Sequence, residues 1–342
     1  MTTTDVYDVQ TTGEDTMVPS SSRGVSFYFQ CAVVLIGVVG AAANALILYA
    51  MIASEQHKKQ LLIFNQNASD LCSCLLLVIV YSLKLCDIHL SGTLGYWLCM
   101  MLLSENVLWC SIDVSVVNLM SVTVERYLKV VHPASSKKLL RKWVIYAVMA
   151  LTWISCITYN MALVFTTSGV VDGVCYATLF WKSQVALMLN TIWYFVSFFV
   201  VVVFISFLCY WRILVVVRRQ ASVMAGHSGP GPSTVQQAQS HHIQSNVIKT
   251  MILVSAFYVI AWMPIRLYYT LLVLNPNFMY IDSVYYAATF IAFLYICANP
   301  FIYATKFDPV KRVLLELIPW KTSQQADGSV EMSGTRTVPK RN

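Results

Sequence analysis

The chain has 342 residues, of which 58% are hydrophobic and 11% are charged. Because soluble globular domains carry about 25% charged residues, this composition excludes a chain whose main solvent is water. The formal net charge of +7 is attributed to basic residues on one side of a membrane, where they contact anionic lipid. It gives no reason to expect a nucleic-acid partner.

Seven segments are long and apolar enough to cross a lipid bilayer, which takes about 20 residues of helix. Helices are expected because they satisfy their own backbone hydrogen bonds in lipid, and the segments lack the alternation of β-strands. The predicted spans are residues 26–53, 61–84, 97–128, 143–167, 184–217, 247–274 and 281–305. The chain is therefore predicted to be an all-α membrane protein, with a seven-transmembrane helix bundle over residues 26–305.

Basic residues are distributed unevenly over the connecting segments. Most of them lie in the loops after the first, third and fifth spans and in the C-terminal tail, whereas the opposite side holds only Arg23, Lys84 and Lys182. Since lysine and arginine are enriched on the cytoplasmic side, we expect an extracellular N-terminus and a multi-pass protein of the plasma membrane. Residues 1–25 lack the pattern of a cleavable signal peptide, so the first span is expected to act as the insertion signal.

Three segments outside the spans are predicted from composition and periodicity. Residues 1–25 form a polar extracellular tail, and residues 319–342 form a disordered cytoplasmic tail. In residues 306–318 apolar side chains recur three and four positions apart, opposite Lys311 and Arg312. This pattern predicts a short amphipathic helix in the membrane interface after the seventh helix. A frayed extension of the seventh helix is the alternative.

Two of the ten cysteines are predicted to form a disulfide on the extracellular side, where oxidising conditions permit one. They are Cys99, at the start of the third span, and Cys175, in the loop 168–182. A bond between them would tie this loop over the helical bundle. Cys86 is the alternative partner.

At the predicted cytoplasmic end of the third span, Arg126 lies between Glu125 and Tyr127. An ionisable side chain at a membrane boundary is costly to bury without a partner and therefore indicates a function. Further motifs occur in chain order and between them cover all seven spans: Asn44, Asn67-Ala68-Ser69-Asp70, Trp97 before Cys99, Ser115, Asn118, Trp153, Tyr210, Ala261-Trp262-Met263-Pro264 and Asn299-Pro300-Phe301-Ile302-Tyr303. With these motifs the chain resembles the rhodopsin-like (class A) G-protein-coupled receptors over residues 25–318.

This resemblance implies a receptor that couples an extracellular ligand to nucleotide exchange on heterotrimeric G proteins. Arrestin and a receptor kinase are the further partners that it implies, both acting through the C-terminal tail. The residues implied as an activation switch are Glu125, Arg126, Tyr127, Tyr210, Trp262, Pro264, Asn299, Pro300 and Tyr303. Pro264 and Pro300 each remove a helical hydrogen bond and permit a kink, so the cytoplasmic end of the sixth helix is expected to swing outward.

Asp70 is expected near the middle of the membrane, where a carboxylate must be protonated or paired. Asn44, Ser115 and Asn299 are its predicted polar neighbours, and in the family such a cluster binds a sodium ion. The predicted ion site comprises Asp70, Ser115 and Asn299. A hydrogen-bonded acid without an ion is the alternative, favoured by Tyr295 and Ile296 where the family has small polar residues. No other cofactor is expected.

Two departures from the family pattern lead to structural expectations. Cys99 and Arg126 are further apart than is usual in the family, so we expect a bulge in the third helix or a disulfide placed slightly higher. Gln244 occupies a place near the cytoplasmic end of the sixth helix where an acidic residue often pairs with the arginine. Arg126 is therefore expected to be held less firmly, by Glu125 alone.

The ligand is less constrained by the sequence than the receptor class. No lysine occurs between Lys249 and Lys306, which argues against an opsin. The third-helix position that is acidic in amine receptors corresponds to Leu108 or Asn106. Aromatic residues near the extracellular ends of the spans suit a peptide, which is the predicted ligand; they are Trp109, Trp193, Tyr268, Tyr269, Tyr285 and Tyr286. A lipid, a small organic acid or an amine are the alternatives. A transporter or channel is a distant alternative, and no motif suggests an enzyme.

Arg266 is an unusual charge in the upper half of the sixth span, two residues beyond Pro264. A buried guanidinium favours a carboxylate or phosphate as its partner. Arg266 is expected either to pair internally with Asp113 or Glu105, or to receive an acidic group of the ligand. The predicted ligand pocket comprises Glu105, Asn106, Trp109, Asp113, Arg266, Tyr269, Tyr286 and Thr289.

Overall fold

The computed structural model describes residues 20–86, 88–177, 181–226, 232–306 and 308–316. In this part of the chain, seven helices are long and apolar enough to cross a membrane. The first, second, fourth, sixth and seventh are continuous: Ser20–Ala53, Leu61–Leu85, Lys142–Thr167, Pro232–Leu274 and Asp282–Lys306. The third and fifth each contain a π-helical turn. The predicted seven-helix bundle is thereby confirmed.

Four helix ends differ clearly from their predicted positions, and one of them is the end of the fifth helix, which lies at Gly226 instead of residue 217. The first helix begins at Ser20, inside the predicted N-terminal tail. The third begins at Gly92 and the sixth at Pro232, both before the apolar runs that predicted them. Helical hydrogen bonding can continue through polar residues beyond the membrane, whereas the prediction followed only the apolar stretch.

The third helix is interrupted near the end that carries Cys99. Its first part, Gly92–Leu98, passes through a π-helical turn at Cys99–Leu103 and resumes at Asn106–Val131. At the interruption Glu105 adopts a left-handed backbone with φ of 61°, which is uncommon for a residue with a side chain. This irregularity accommodates the extra residues between Cys99 and Arg126, so the expected bulge is confirmed.

The fifth helix contains the second π-helical turn, Val196–Val200, between Gln184–Phe195 and Val201–Gly226. A π-helical turn disturbs the regular hydrogen-bond ladder and commonly occurs at functional positions. Here the Tyr258 hydroxyl of the sixth helix donates a hydrogen bond to the Phe198 carbonyl oxygen in this turn. The turn therefore joins the fifth and sixth helices.

The interior of the bundle holds both large apolar side chains and polar ones. Trp262, Tyr258 and Phe293 are among the largest fully buried residues, and Asn44 and Asp70 are buried with them. Large apolar side chains also cover the outside of the bundle, including Leu35, Phe207 and Trp211. An extended apolar exterior of this kind fits a lipid environment, so the chain is a multi-pass membrane protein.

A two-stranded hairpin lies between the fourth and fifth helices. Strands β1 (Gly169–Val171) and β2 (Val174–Tyr176) pair antiparallel, and positive φ at Asp172 and Gly173 forms the tight turn between them. Cys175 in β2 is bonded to Cys99 of the third helix. The predicted disulfide is confirmed, and Cys86 is a free thiol. We call this end of the bundle the disulfide end and the opposite one the Arg126 end.

A short helix, Asp308–Glu316, follows the seventh helix as predicted. Val310 is buried and Val313 and Leu314 pack against the core, while Lys311 and Arg312 are exposed. Its apolar face therefore lies against the bundle. The predicted tail 319–342, and residues 1–19 of the predicted N-terminal tail, lie outside the described residues.

Candidate functional site

A cavity of about 400 Å³ opens into the bundle at the disulfide end. Its walls come from the third to seventh helices, with Lys84 of the second helix and the segment after the hairpin. Five of the eight residues predicted for the pocket line it: Glu105, Asn106, Trp109, Arg266 and Tyr269. The volume lies within the range of ligand pockets, which are about 300–1,000 Å³.

The other three predicted pocket residues do not line the cavity. Asp113 is fully buried and bonded to Tyr194 and Asn160. Tyr286 stacks on Phe29 of the first helix at 4.7 Å between ring centroids. Thr289 is buried in the seventh helix. Helix rotation turns the side chains of Asp113 and Tyr286 toward neighbouring helices, and sequence spacing does not specify that rotation.

Several lining residues were missed by the sequence analysis. They include Lys84, Tyr159, Asn160, Asn190 and Tyr194. Tyr159 donates a hydrogen bond to the Asn190 side-chain oxygen at 3.0 Å, which joins the fourth and fifth helices beside the cavity. Polar residues are rare in these apolar spans, so their presence indicated functional positions. It did not indicate which faces of the fourth and fifth helices are in contact.

Glu105 is held by three side chains at the cavity wall. Lys84 forms an ion pair with it, the Tyr81 hydroxyl donates to Oε1 at 3.0 Å and the Trp109 indole donates to Oε2 at 3.1 Å. These bonds fix the left-handed backbone at Glu105, which would otherwise be unfavourable. The carboxylate is fully engaged with these neighbours, so of the two internal partners predicted for Arg266, Glu105 is excluded.

Arg266 lies at the floor of the cavity and is buried. Its guanidinium carbon lies 4.2 Å from the Tyr194 ring centroid and 4.9 Å from the Trp262 ring centroid, distances typical of cation–π contacts. Nη2 donates to the Tyr194 hydroxyl at 3.4 Å. No carboxylate oxygen of a described residue lies within 4.0 Å of its nitrogens.

Below the floor, aromatic side chains continue toward the middle of the bundle. Trp109 and Trp262 meet edge to face at 6.2 Å between ring centroids, and Trp262 in turn lies 6.3 Å from Tyr258. Tyr258 contacts Tyr295 at 5.5 Å. Any displacement at Trp262 is therefore transmitted to tightly packed neighbours, because a packed interior does not deform continuously.

Asp70 lies at the centre of a polar cluster below these aromatics. Ser115 Oγ donates to its Oδ1 at 2.6 Å, Asn299 Nδ2 donates to its Oδ2 at 2.9 Å, and Gln66 Nε2 lies 3.4 Å from Oδ1. The structure thus brings the three predicted ion-site residues together. Asn44, the remaining predicted neighbour of Asp70, donates instead to the Gly40 carbonyl oxygen at 3.0 Å.

At the Arg126 end, the guanidinium of Arg126 has two partners. It forms an ion pair with Glu125 at 3.2 Å, and Nη2 donates a hydrogen bond to Gln60 Oε1 at the start of the second helix. Glu125 also accepts from Lys129 at 2.7 Å. The expectation that Glu125 alone holds Arg126 is therefore wrong, because packing of the second helix against the third brings Gln60 into reach.

The remaining predicted switch residues occupy the third, fifth, sixth and seventh helices. The hydroxyl of Tyr210 lies 3.0 Å from Thr123 Oγ1 and accepts from Ser255 at 3.2 Å, so it joins the third, fifth and sixth helices. Tyr127 pairs with His132 at 3.1 Å. Pro264 and Pro300 lie inside their helices. The side chains of Tyr303 and Gln244 lie outside the described residues.

The profile of the 7 transmembrane receptor (rhodopsin family) matches residues 43–303, which include the cavity, the Asp70 cluster and Arg126. The chain belongs to this receptor family. The receptor is 24% identical over 325 residues to the substance-K receptor of Mus musculus. The matched region includes 91% of this chain and 80% of that receptor. It is 26% identical over 317 residues to G-protein coupled receptor 15 of Mus musculus, with 89% and 82% covered. The substance-K receptor of Mesocricetus auratus is 22% identical over 321 residues, with 90% and 79% covered.

Proposed function

We propose that this receptor binds an extracellular peptide at the disulfide end and, when bound, catalyses nucleotide exchange on a heterotrimeric G protein at the Arg126 end. The observation that carries the proposal is the position of the cavity. Its floor includes Trp262 and Arg266, and both belong to the sixth helix, which contains Pro264 between them and also carries Ser255. One helix, which Pro264 permits to kink, thus links the cavity to the contact between Ser255 and Tyr210.

Coupling to G proteins is general to the family, and peptide receptors are among the relatives. The cavity supports a peptide because aromatic rings and a few polar groups line it, which suits one or two side chains of a ligand that continues outside the bundle. The only carboxylate among its described lining residues, Glu105, is already paired with Lys84, so an amine ligand is disfavoured. A lipid or small organic acid is the second candidate, because Arg266 supplies a cationic group.

Signalling follows from the contacts of the sixth helix. A ligand in the cavity touches Trp262 and Arg266 and biases the kink at Pro264. When the Arg126 end of this helix swings outward, Ser255 separates from Tyr210 and the bundle opens at that end. Arg126 can then exchange its bond to Gln60 for a contact with the G protein. The uneven distribution of basic residues supports an extracellular N-terminus in the plasma membrane, with arrestin and a receptor kinase acting on the cytoplasmic tail.

The test uses the full chain reconstituted in lipid vesicles with purified heterotrimeric G proteins and a library of synthetic peptides. We expect at least one peptide to accelerate guanine-nucleotide exchange, and Arg126→Ala to abolish that response. Lipids and small organic acids form parallel arms. Ion or solute flux in vesicles without any G protein, together with no exchange in any arm, would contradict the receptor function and favour a transporter or channel.

A further inference from the structure

The protein supplies only some of the hydrogen-bond partners that the buried guanidinium of Arg266 requires. Its hydrogen bond to Tyr194 is long, at 3.4 Å, and Nε is buried without a hydrogen-bond partner. Leaving a buried charged donor unpaired is costly, because no water replaces the lost partner. The cavity in front of this guanidinium is the place from which a partner can come.

Asp113 is the candidate for an internal counterion, but its oxygens bond other side chains and neither lies within 4.0 Å of the guanidinium nitrogens. Tyr194 donates to Oδ1 at 2.7 Å and Asn160 donates to Oδ2 at 3.0 Å. The Tyr194 hydroxyl has one proton, which it gives to Asp113, so toward Arg266 it acts only as an acceptor. Asp113 therefore orients Tyr194 and moderates the positive charge from a distance without neutralising it by contact.

The aromatic neighbours of Arg266 hold the guanidinium without consuming its donors. Contacts to the rings of Tyr194 and Trp262 involve the ring faces, whereas guanidinium N–H groups bind oxygens in the plane of the group. A guanidinium fixed in this way is preorganised for a planar two-oxygen acceptor, since little side-chain entropy remains to be lost on binding. That acceptor chemistry is a carboxylate.

We propose that Arg266 is the anchor for a carboxylate of the ligand, which enters the cavity and forms two parallel hydrogen bonds with the guanidinium. This inference rests on the proposed receptor function and specifies its ligand. The carboxylate comes either from the C-terminus of a peptide or from an acidic side chain. Because Arg266 contacts Trp262 on the same helix, anchoring the carboxylate pulls directly on the helix that links the cavity to Ser255.

The test measures stabilisation of the purified receptor against thermal unfolding by small probes. N-acetylphenylalanine represents a peptide C-terminus, and glutamic acid α-amide with an acetylated amine represents an acidic side chain. N-acetylphenylalaninamide is the neutral control. We expect at least one acid to bind about tenfold or more tightly than the neutral amide, and Arg266→Gln to remove that preference. Arg266→Lys keeps the charge without the planar fork and should retain a reduced preference.

Arg141→Gln is the matched control, because Arg141 is an exposed arginine outside the cavity, and it should leave the preference unchanged. If Arg266→Gln does not fold, the preference for the acids over the neutral amide is measured instead in Arg266→Lys and in the double variant Arg266→Gln with Asp113→Asn. Equal binding of acids and amide by the unaltered receptor would overturn the proposal. Peptide-stimulated nucleotide exchange is scored separately, so loss of the carboxylate preference leaves the receptor function standing.

A second inference concerns Asp70 and is independent of the ligand. Gln66 Nε2 donates to Ser115 Oγ at 2.5 Å and approaches Asp70 Oδ1, while its own oxygen accepts from Asn118 Nδ2 at 2.8 Å. The Asp70 oxygens therefore face the donor groups of Gln66, Ser115 and Asn299. A sodium ion requires oxygen lone pairs in those directions, so the described arrangement does not fit the ion.

We infer that the Gln66 amide takes the place of a cation beside Asp70, which makes the cluster independent of sodium. Unfolding midpoints in sodium chloride and in choline chloride at equal concentration test this inference. We expect no difference for the unaltered receptor and a sodium-specific increase for Gln66→Leu, which further addition of Asp70→Asn removes. A sodium-specific increase in the unfolding midpoint of the unaltered receptor, or no such increase in Gln66→Leu, would overturn the inference. Each variant is compared with itself in the two salts, so a change in its overall stability does not affect the comparison.

Discussion

Arg126 and Arg266 are both buried, with 8% and 7% of their surface exposed, but they lie in opposite halves of the bundle and have different partners. Arg126 has a carboxylate at 3.2 Å and the amide oxygen of Gln60. Arg266 has two aromatic faces and a phenol oxygen at 3.4 Å. One guanidinium is bound within the protein, and the other faces a cavity.

This difference separates two uses of the same side chain. Breaking a buried ion pair costs about 3–5 kcal/mol, so a paired arginine such as Arg126 holds helices in one arrangement until something replaces its partners. An arginine that contacts no carboxylate of the protein, such as Arg266, can still form an ion pair with a ligand. The partners of each arginine thus indicate where a conformational change is restrained and where a ligand is recognised.

The largest expected effect is that of Arg126→Ala. We expect peptide-stimulated nucleotide exchange to fall to the unstimulated rate, because the variant lacks the side chain that is proposed to meet the G protein. Peptide affinity should change by less than about threefold, because the cavity lies at the opposite end of the bundle. Exchange on purified G proteins and binding to the same vesicles are measured together. A well-expressed variant with normal exchange would remove the functional contrast between the two arginines.

The disulfide end is expected to depend strongly on its covalent bond. Cys99→Ala and Cys175→Ala should each lower stability by about 2–4 kcal/mol, since a bond that closes a long loop restricts the unfolded chain. The double variant should be no worse than either single one, because both remove the same bond. Unfolding of purified variants provides the measurement, and additive losses would mean that each cysteine acts separately.

Gln60→Ala tests the newly found partner of Arg126. Without the amide oxygen, Arg126 is held by Glu125 only, and ligand-free nucleotide exchange should rise about tenfold, as expected for a loss of about 1.4 kcal/mol. Gln56→Ala, in the same connection between the first two helices, is the matched control. An unchanged basal rate at equal receptor density would assign the restraint to Glu125 alone.

Gln244→Glu tests the same restraint in the opposite direction. An acid near the Arg126 end of the sixth helix should add an ion pair to Arg126 and lower basal exchange, by at most the factor that Gln60→Ala raises it. The two changes combined should return the rate toward that of the unaltered receptor. A higher basal rate in Gln244→Glu would contradict the prediction that an acid at this position restrains Arg126.

Tyr210→Phe should have the smallest effect. The change removes one hydroxyl, and with it the bonds to Thr123 and Ser255, while the ring stays in place. The expected loss is about 0.5–1 kcal/mol, in the lower part of the range for one hydrogen bond between uncharged groups, so basal exchange should rise about two- to fivefold. Tyr146→Phe, an exposed tyrosine of the fourth helix, should leave it unchanged, and a fall in the Tyr210 variant would mean that the hydroxyl favours the active arrangement instead.

Parts of the candidate site were predictable because they depend on local order along the chain. The spacing of Cys99 and Arg126 predicted the bulge that the π-helical turn and Glu105 provide. The positions of Asp70, Ser115 and Asn299 in their spans predicted that they meet. The roles of Tyr194, Gln60 and Gln66 were missed, since each depends on contact between helices that are distant in sequence.

The sequence by itself determined the seven helices, their membrane environment and the receptor family, because apolar length and ordered motifs are properties of single segments. Only the tertiary structure decided which partner each buried charge has. Glu105 is paired with Lys84, Asp113 with Tyr194 and Asn160, and Arg126 with Gln60 as well as Glu125. These pairings depend on helix rotation and axial position, and a shift of a few ångströms between neighbouring helices exchanges one partner for another because hydrogen bonds act only at short range.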